Sequence, residues 1–352
     1  LLGLIFTIPS FLPEKTTETL PGLFQSRVNL GLDLAGGSHL LLEADLSDFD
    51  AVQLEKMERS VRQAMRGEPG PDDDVAIGEV TRGNGQLSFI VRELTQLDEA
   101  RERVNRLTQG VTQGTQLTGQ RDWEVSFVDT TRVVLRATAA GRTAAIANAM
   151  DSARDIVDRR VNALGTREPT IIREGNDRIV VQVPGLQNPQ QLKDLLGQTA
   201  RLEFRMVDEN ANPAEVAAGR APVGSEIVPY AESSDQAGGF EVLKRQVMIS
   251  GDQLINAQQQ FDQQSGQPVV SISFDSGGAN TFARVTTQSV GKRFAMVLDG
   301  KVLSAPSINE PILGGSAQIS GNFTVDSANG LAIALRSGAL PVKMTIVEER
   351  TV

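Results

Sequence analysis

Asp33, Gly36 and Gly37 are the residues of this sequence whose types and spacing could do chemistry. An aspartate close to two glycines can hold a metal ion while the glycine main chain donates N–H groups to a phosphate. The same glycines can instead supply the unusual backbone angles of a strand bend. In that case Leu32, Asp33, Gly36 and Gly37 form a structural turn that leads into the apolar strand after it.

A nucleotide-binding kinase or ATPase of the Asp-x-Gly-Gly type also needs a second Asp-Gly turn for the phosphates. Asp299-Gly300 is a candidate, but it lies between two apolar runs, a pattern typical of an ordinary tight hairpin. The chain has no Walker-type phosphate loop. The sequence therefore favours the structural turn, with nucleotide binding as the alternative, and it predicts no cofactor.

Composition excludes several other kinds of site. There is no cysteine and the only histidine is His39, so thiol catalysis, disulfides, cysteine-based zinc sites and multi-histidine metal sites are excluded. The formal net charge of −10 disfavours nucleic-acid binding. The acidic runs lack the spacing of a calcium loop. No nucleophile is paired with a base, and we predict that the chain is not an enzyme.

Hydrophobic periodicity predicts an α+β chain of several units. A ferredoxin-like (split βαβ) base domain carries an inserted α+β head domain, and a small additional α/β subdomain lies before the base's long helix. The predicted divisions are 1–13 (remnant of an N-terminal transmembrane anchor), 28–46 (first base strand), 47–138 (additional subdomain), 139–199 (base continued), 200–337 (inserted head) and 338–352 (last base strand, leading to the next membrane span).

Several local patterns support this division. The longest predicted helix ends at Gly165, and Asn84-Gly85 predicts a tight hairpin. Ser47 is the expected N-cap of the first helix. The mixed charges of the long helix, including Arg154, Arg159 and Arg160, predict a solvent-exposed face or a lattice of ion pairs within the chain. Residues 209–240 are predicted to be a loop with little core.

Five ordered motifs carry a resemblance to a known family. They are LGLDLAGGSHLLLEAD, RRVNALGTREPTIIREGNDRIVVQVPG, TARLEFRMVD, GKRFAMVLDGKVLSAPSI and ALRSGALPVKMTIVEERTV. Together they resemble the large extracytoplasmic region of the SecD family, from about Leu30 to the end of the chain. Residues 47–138 resemble the extra subdomain of the longer family members.

The resemblance implies a role in protein export. A SecD-like subunit of the SecDF complex assists export through SecYEG, and couples the proton gradient to the pulling and release of preproteins on the trans side. The implied partners are SecF, the SecYEG channel and unfolded preproteins, with YajC and YidC as further candidates. The implied location is the bacterial inner membrane, with this region on the periplasmic side.

The implied motion identifies two further groups of residues. A head joined to its base by two adjacent connections can rotate about them, which makes Gly197, Gly338 and Pro341 candidate hinge residues. Val302, Ile319 and Phe323 are the candidate client-contact residues of the head. A periplasmic domain of a small-molecule efflux pump is a further alternative, although aromatic residues that could line a drug-sized pocket make up only 4% of the chain.

Overall fold

The structure is a computed structural model, and it describes residues 37–66, 74–113, 116–166, 168–186 and 189–351, without the side chains of 112–118 and 351. The strands, in chain order, are β1 Gly37–Ala44, β2 Thr81–Gly83, β3 Gln86–Ile90, β4 Gly110–Gln113, β5 Gln116–Arg121, β6 Trp123–Val128, β7 Arg132–Ala137, β8 Thr170–Glu174, β9 Arg178–Pro184, β10 Leu202–Val207, β11 Ser225–Pro229, β12 Phe240–Ser250, β13 Leu254–Phe261, β14 Pro268–Phe274, β15 Phe294–Leu298, β16 Lys301–Ser304, β17 Ser316–Ile319 and β18 Met344–Thr351. The helices are α1 Leu46–Met65, α2 Leu97–Leu107, α3 Ala139–Ala163, α4 Pro189–Gly197, α5 Pro213–Ala217, α6 Ser276–Gln288 and α7 Val325–Ser337. This mixture of helices and antiparallel sheets confirms the α+β class.

The first sheet, which we call the base sheet, has the order β18-β1-β9-β8, and all its neighbouring strands are antiparallel. The helices α3 and α4 contribute to the same core as its strands. Alternate residues of β1 and β9 are fully buried, as the period-two pattern of a one-sided sheet requires. This core is almost purely aliphatic, with Leu40, Leu42, Val157, Val161, Ile179, Val181, Leu192 and Leu196 at its centre.

A second unit follows β1 in the chain and has its own core. Its sheet has the order β2-β3-β7-β6, and α1 and α2 pack beside it. The tight hairpin between β2 and β3 is confirmed, because Asn84 and Gly85 have φ values of 52° and 70°. The predicted N-cap is wrong by two residues. Asp45 caps α1 by accepting the Ser47 and Asp48 N–H groups, and the first turn of α1 buries Phe49 in the base core.

The part of the chain from β10 to α7, which we call the head, contains two sheets with a shared core. The five-stranded sheet has the order β11-β12-β10-β15-β16. The two edges of this sheet are joined to each other. Tyr230, which follows β11, forms a β-bridge with Val302 of β16, and the Ala231 N–H donates to the Val302 carbonyl at 2.8 Å. The three-stranded sheet has the order β13-β14-β17, and α7 packs on β13 and β14. Phenylalanine rings 5.2–6.2 Å apart fill the shared core: Phe204, Phe274, Phe282 and Phe294.

The prediction of a loop with little core at 209–240 is wrong. This stretch contains α5 and β11, and β11 pairs along its whole length with β12. Val228 and Tyr230 are buried in a small cluster on the five-stranded sheet. The polar, glycine-rich composition concealed the strand, because only a few of its residues face that cluster.

Candidate functional site

Two short connections join the head to the base. The first leads from α4 to β10, and the second leads from α7 to β18. They lie side by side, because the Leu340 N–H donates to the Thr199 carbonyl at 2.8 Å. We call this place the junction, and it is formed by the two connections together with Arg159, Arg160 and Asp299.

Arg160 binds both connections at once. It projects from α3 and is fully buried, at 0% exposure. Its Nη1 donates to the carbonyls of Leu195 at 2.8 Å and Gln198 at 2.5 Å, and its Nη2 donates to those of Thr199 and Gly338, both at 3.2 Å. The last carbonyls of a helix have no intrahelical partner and carry partial negative charge. A buried guanidinium therefore satisfies the end of α4 and, across the junction, the residue that caps α7.

Arg159 extends this contact to the end of the head helix. Its Nη2 and Nε donate to the Ser337 carbonyl at 3.0 and 3.3 Å. Two consecutive residues of one base helix thus hold the C-terminal turn of α7. The packing of α7 against α3 and α4 accompanies these hydrogen bonds.

The prediction for the charged face of α3 is correct for the exposed Arg154 and Arg159 and wrong for Arg160, which is buried. Arg154 lies on the surface and pairs with Asp155 at 2.8 Å, as expected. Arg159 and Arg160 bind main-chain carbonyls. The available signal was spacing, because Arg160 follows Ile156 by four residues and Val157 by three, and so lies on the buried stripe of the helix.

Burial lowers the pKa of Arg160 to about 10, whereas the nearby Asp299 carboxylate acts in the opposite direction and favours the charged form. Asp299 itself braces the first connection, because its two carboxylate oxygens accept the N–H groups of Ala200 at 3.0 Å and Arg201 at 2.8 Å. These bonds hold Ala200 at a φ of 60°, a backbone angle that non-glycine residues rarely adopt. The junction therefore contains a buried cation, a braced turn and two non-glycine residues with positive φ, Ala200 and Asp299.

Asp299 also bears on the nucleotide alternative, which used Asp299-Gly300 as the second phosphate turn. This turn closes the hairpin between β15 and β16, and its carboxylate is occupied by the two amides of the first connection. These two hydrogen bonds give the Asp299 carboxylate a structural role. We therefore do not propose nucleotide binding.

The predicted hinge residues lie in or beside the connections. Gly197 is the last residue of α4, and a Cβ added there meets nothing within 4 Å. Gly338 caps α7 with a φ of 94°, which favours glycine. Pro341 lies between Gly338 and β18 in the second connection. Their role in a motion stays a prediction.

The predicted turn motif is described at only one of its four residues, because Leu32, Asp33 and Gly36 lie outside the described ranges. Gly37 opens β1 and pairs with Pro184 of β9. A Cβ at Gly37 would approach the Val183 carbonyl oxygen to 2.5 Å, closer than real Cβ atoms come. Packing between two strands therefore requires glycine here.

The prediction that Val302 and Ile319 contact a client is wrong. Both side chains are 0% exposed, since Val302 lies in the small core of the five-stranded sheet and Ile319 in the shared core. Phe323 is half-buried and packs against the shared core. Alternating hydrophobic residues mark the buried face of a strand, so the positions chosen for their apolar character faced inward. Client contact is not proposed for Val302 or Ile319.

Within the described ranges, no group of three or more histidine, aspartate or glutamate side chains is arranged to hold a metal ion. In the same part of the chain, no helix combines the length and the hydrophobicity needed to cross a bilayer. The predicted anchor remnant at 1–13 lies outside the described residues.

Three family models match the chain in order. They are the SecD/SecF GG motif at residues 22–45, the N-terminal part of the P1 domain of protein translocase subunit SecDF at 150–209, and the P1 head subdomain of SecDF at 225–342. The protein translocase subunit SecD of Rickettsia conorii is 36% identical over 350 residues, which cover 99% of this chain and 63% of the relative. The chain is similar to the SecD family. The SecD of Rhodobacter capsulatus is 41% identical over 328 residues, covering 92% of this chain and 57% of the relative.

A solved structure agrees with the family at the level of the fold. The crystal structure of SecDF in its super-membrane-facing form is 27% identical, covers 99% of this chain and 33% of that chain, and has a TM-score of 0.52. The chain spans less than two thirds of the length of the two SecD relatives described above. The SecD relatives are named as translocase subunits, which is not an enzyme family, in agreement with the prediction for this chain.

Proposed function

We propose that this chain is the extracytoplasmic base and head of a SecD-type export subunit. In this role it assists the movement of unfolded preproteins out of the SecYEG channel on the periplasmic side of the inner membrane, with SecF as its partner and the proton gradient as the energy source. The names of its relatives and of the solved SecDF structure support this proposal. YajC and YidC are proposed as further partners because the resemblance of the sequence implies them.

The base is proposed to have the ferredoxin-like arrangement. Strand, helix, two strands, helix and strand follow one another as β1, α3, β8, β9, α4 and β18 once the two insertions are set aside. The sheet order β18-β1-β9-β8, with every neighbour antiparallel, is the order of a split βαβ sandwich. We propose the division of the chain that was predicted from the sequence: the base, the additional subdomain at 47–138 and the head at 200–337.

The observation that carries the proposal is the junction. A part that pulls on a polypeptide must transmit force to its support, and flexible connections would dissipate it. Here Arg160 holds both connections to one base helix through four main-chain carbonyls. We propose that the head turns as one unit about this junction, with Gly197, Gly338 and Pro341 absorbing the change in backbone angles.

Site-specific photo-crosslinking in the membrane-embedded full-length protein tests this function. The crosslinker is placed at Phe261 and Leu313, exposed apolar residues of the head with 59% and 73% exposure, during arrested export of a secretory client. Ile172, which is 55% exposed on the base strand β8, is the matched control. We expect client crosslinks from the head positions only while the client is emerging. Crosslinks to SecF or the channel alone would contradict client handling and make this region a scaffold.

A further inference from the structure

The three-stranded head sheet differs from the rest of the chain in its charge. Charged residues make up 22% of the sequence, yet β13, β14 and β17 contain none. One face of this sheet is the shared core. Its other face carries two cross-strand rows of amides and hydroxyls, namely Asn256, Ser273 and Ser316, and Gln258, Ser271 and Gln318.

The strand β13 forms an open edge of this sheet. Seven of its eight residues pair with β14 on one side, and none of the described strands lies on the other. Within the described residues, two of its main-chain groups make hydrogen bonds beyond that ladder: the Leu254 N–H donates to the Gly251 carbonyl, and the Gln260 carbonyl accepts from the Gln259 side-chain amide at 3.0 Å. The remaining N–H and C=O groups along its outer side are therefore available. Every backbone polar group seeks a partner, so such an edge is a template for another strand.

The other edges of the head are less suitable for pairing with a long segment. The five-stranded sheet joins its own edges through the bridge between Tyr230 and Val302. The opposite edge of the three-stranded sheet is β17, which has only four residues. The strand β13 is twice as long, and from Asn256 to Phe261 its register is unbroken.

Proteins usually protect an open edge with lysine, proline or a bulge along the strand. The sequence LINAQQQF of β13 has no lysine and no proline, and its one irregularity lies at the start, between Leu254 and Asn256. The exposed side chains Ile255 and Phe261, at 66% and 59% exposure, flank the regular part with apolar surface. The usual protection is therefore absent from the regular part of β13.

We propose that the open edge of β13 binds an extended, unfolded segment of the exported polypeptide as an additional strand. This inference rests on the proposed export function and names the surface that captures the client. Main-chain pairing requires no particular client sequence. The uncharged rows of amides and hydroxyls neither repel nor select acidic or basic clients, as an exporter of many different polypeptides requires.

Hydrogen–deuterium exchange of the whole chain with two synthetic peptides tests the proposal. The first is a ten-residue uncharged peptide of Ser, Thr, Val and Gln. The second has the same sequence with every amide N-methylated, which removes the N–H groups of both strand edges. At saturation we expect the ordinary peptide to slow exchange at Asn256–Phe261 by about tenfold or more, and the methylated peptide to leave it unchanged. Equal protection by both peptides, protection elsewhere in the head, or no protection by either would overturn the proposal.

Lysine substitutions on β13, compared with matched lysine substitutions on α6, give a second test of the proposal. Gln258→Lys with Gln260→Lys adds two cations at exposed positions of β13, and Thr287→Lys with Gln288→Lys adds the same charge at exposed positions of α6. We expect the β13 variant to bind the ordinary peptide about fivefold more weakly or worse, with unchanged melting temperature, and the α6 variant to bind it normally. Equal binding by the two variants would contradict pairing at this edge.

The two proposals can fail separately. Client crosslinks from Phe261 and Leu313 in the export assay, without peptide protection of β13, would leave the export function intact and overturn the edge. Absence of client crosslinks in that assay would overturn the export function, whatever the peptide does in solution.

Discussion

The junction and the three-stranded head sheet treat unpaired main-chain groups in opposite ways. At the junction, the carbonyls at the end of α4 and beyond α7 lie in the interior, and Arg159 and Arg160 donate to them. At the edge of β13, the main-chain groups outside the ladder to β14 face outward, and the strand itself carries no charged side chain. The difference follows from burial. A buried carbonyl without a donor costs free energy, whereas an exposed one is satisfied by water until a partner replaces it.

The junction holds the head to the base, whereas the edge of β13 is the part that we propose binds the client. The guanidinium of Arg160 makes the position of the head depend on one side chain of the base. The edge of β13 keeps pairing capacity that the fold itself does not use. Changes at the junction should therefore alter stability strongly, and changes along the edge should alter binding while leaving stability almost unchanged.

The largest effect is expected from Arg160→Met. The variant keeps the apolar stem but leaves four carbonyls without their donor, and we expect a loss of about 3 to 5 kcal/mol in the free energy of unfolding. Arg154→Met, on the same helix but in an exposed pair, should cost less than about 0.5 kcal/mol. Urea unfolding followed by circular dichroism measures both. Similar losses in the two variants would remove the contrast between the junction and the surface.

Removing the brace at the first connection should have a smaller effect. Asp299→Ala deletes the acceptor of the Ala200 and Arg201 N–H groups, and we expect a loss of about 1 to 2 kcal/mol. Asp299→Asn keeps one acceptor oxygen and should recover part of this loss. The same urea titration measures both variants. No loss on Asp299→Ala would mean that the strained angle of Ala200 does not depend on the carboxylate.

The two glycines of the junction should respond differently to alanine. Gly338→Ala places a Cβ on a residue with φ of 94°, and we expect a loss of about 1 kcal/mol. Gly197→Ala adds a Cβ at the last residue of α4, where it meets no atom within 4 Å. It should change the free energy of unfolding by less than about 0.5 kcal/mol. Thermal unfolding compares them. A loss at Gly197 as large as that at Gly338 would contradict the backbone geometry described for the two positions.

The smallest effect is expected from low pH, which protonates Asp262 at the end of the three-stranded sheet. Asp262 accepts the Ser265 N–H and hydroxyl, the Gln264 N–H and the Gln318 amide, and these bonds lower the pKa of Asp262 from 3.8 to about 2. A lowered carboxyl pKa in the folded state stabilises the fold above pH 4, and this contribution is lost as the pH falls from about 4 to about 2. Carboxyl-carbon NMR should give a titration midpoint near 2. A midpoint near 4 would mean that these bonds do not form in solution.

Most of the fold was predictable because it rests on local signals. The long helix, its end near Gly165 and the Asn84-Gly85 hairpin have turn and periodicity signals that depend on few distant contacts. The strand β11 was not predicted, because its pairing with β12 is decided by the sheet rather than by its own composition. The α+β class could be predicted, and the closure of the five-stranded sheet could not.

The site was harder to predict than the fold. An arginine on a charged helix usually faces water, and only the distant connections make Arg160 a buried donor. Val302 and Ile319 were chosen as apolar head residues, but the same character buries them. The glycines and Pro341 of the connections were identified from the helix ends, which are local features.

The central claim, that Arg160 limits the turning of the head at the junction, is tested most directly by a distance measurement. The chain has no native cysteine, so Glu174→Cys on the base and Gln288→Cys on the head, both exposed, allow clean attachment of two spin labels. Double electron–electron resonance should give one narrow distance distribution, which Arg160→Met broadens and Arg154→Met leaves unchanged. An equally narrow distribution at the same distance in folded Arg160→Met would contradict the claim.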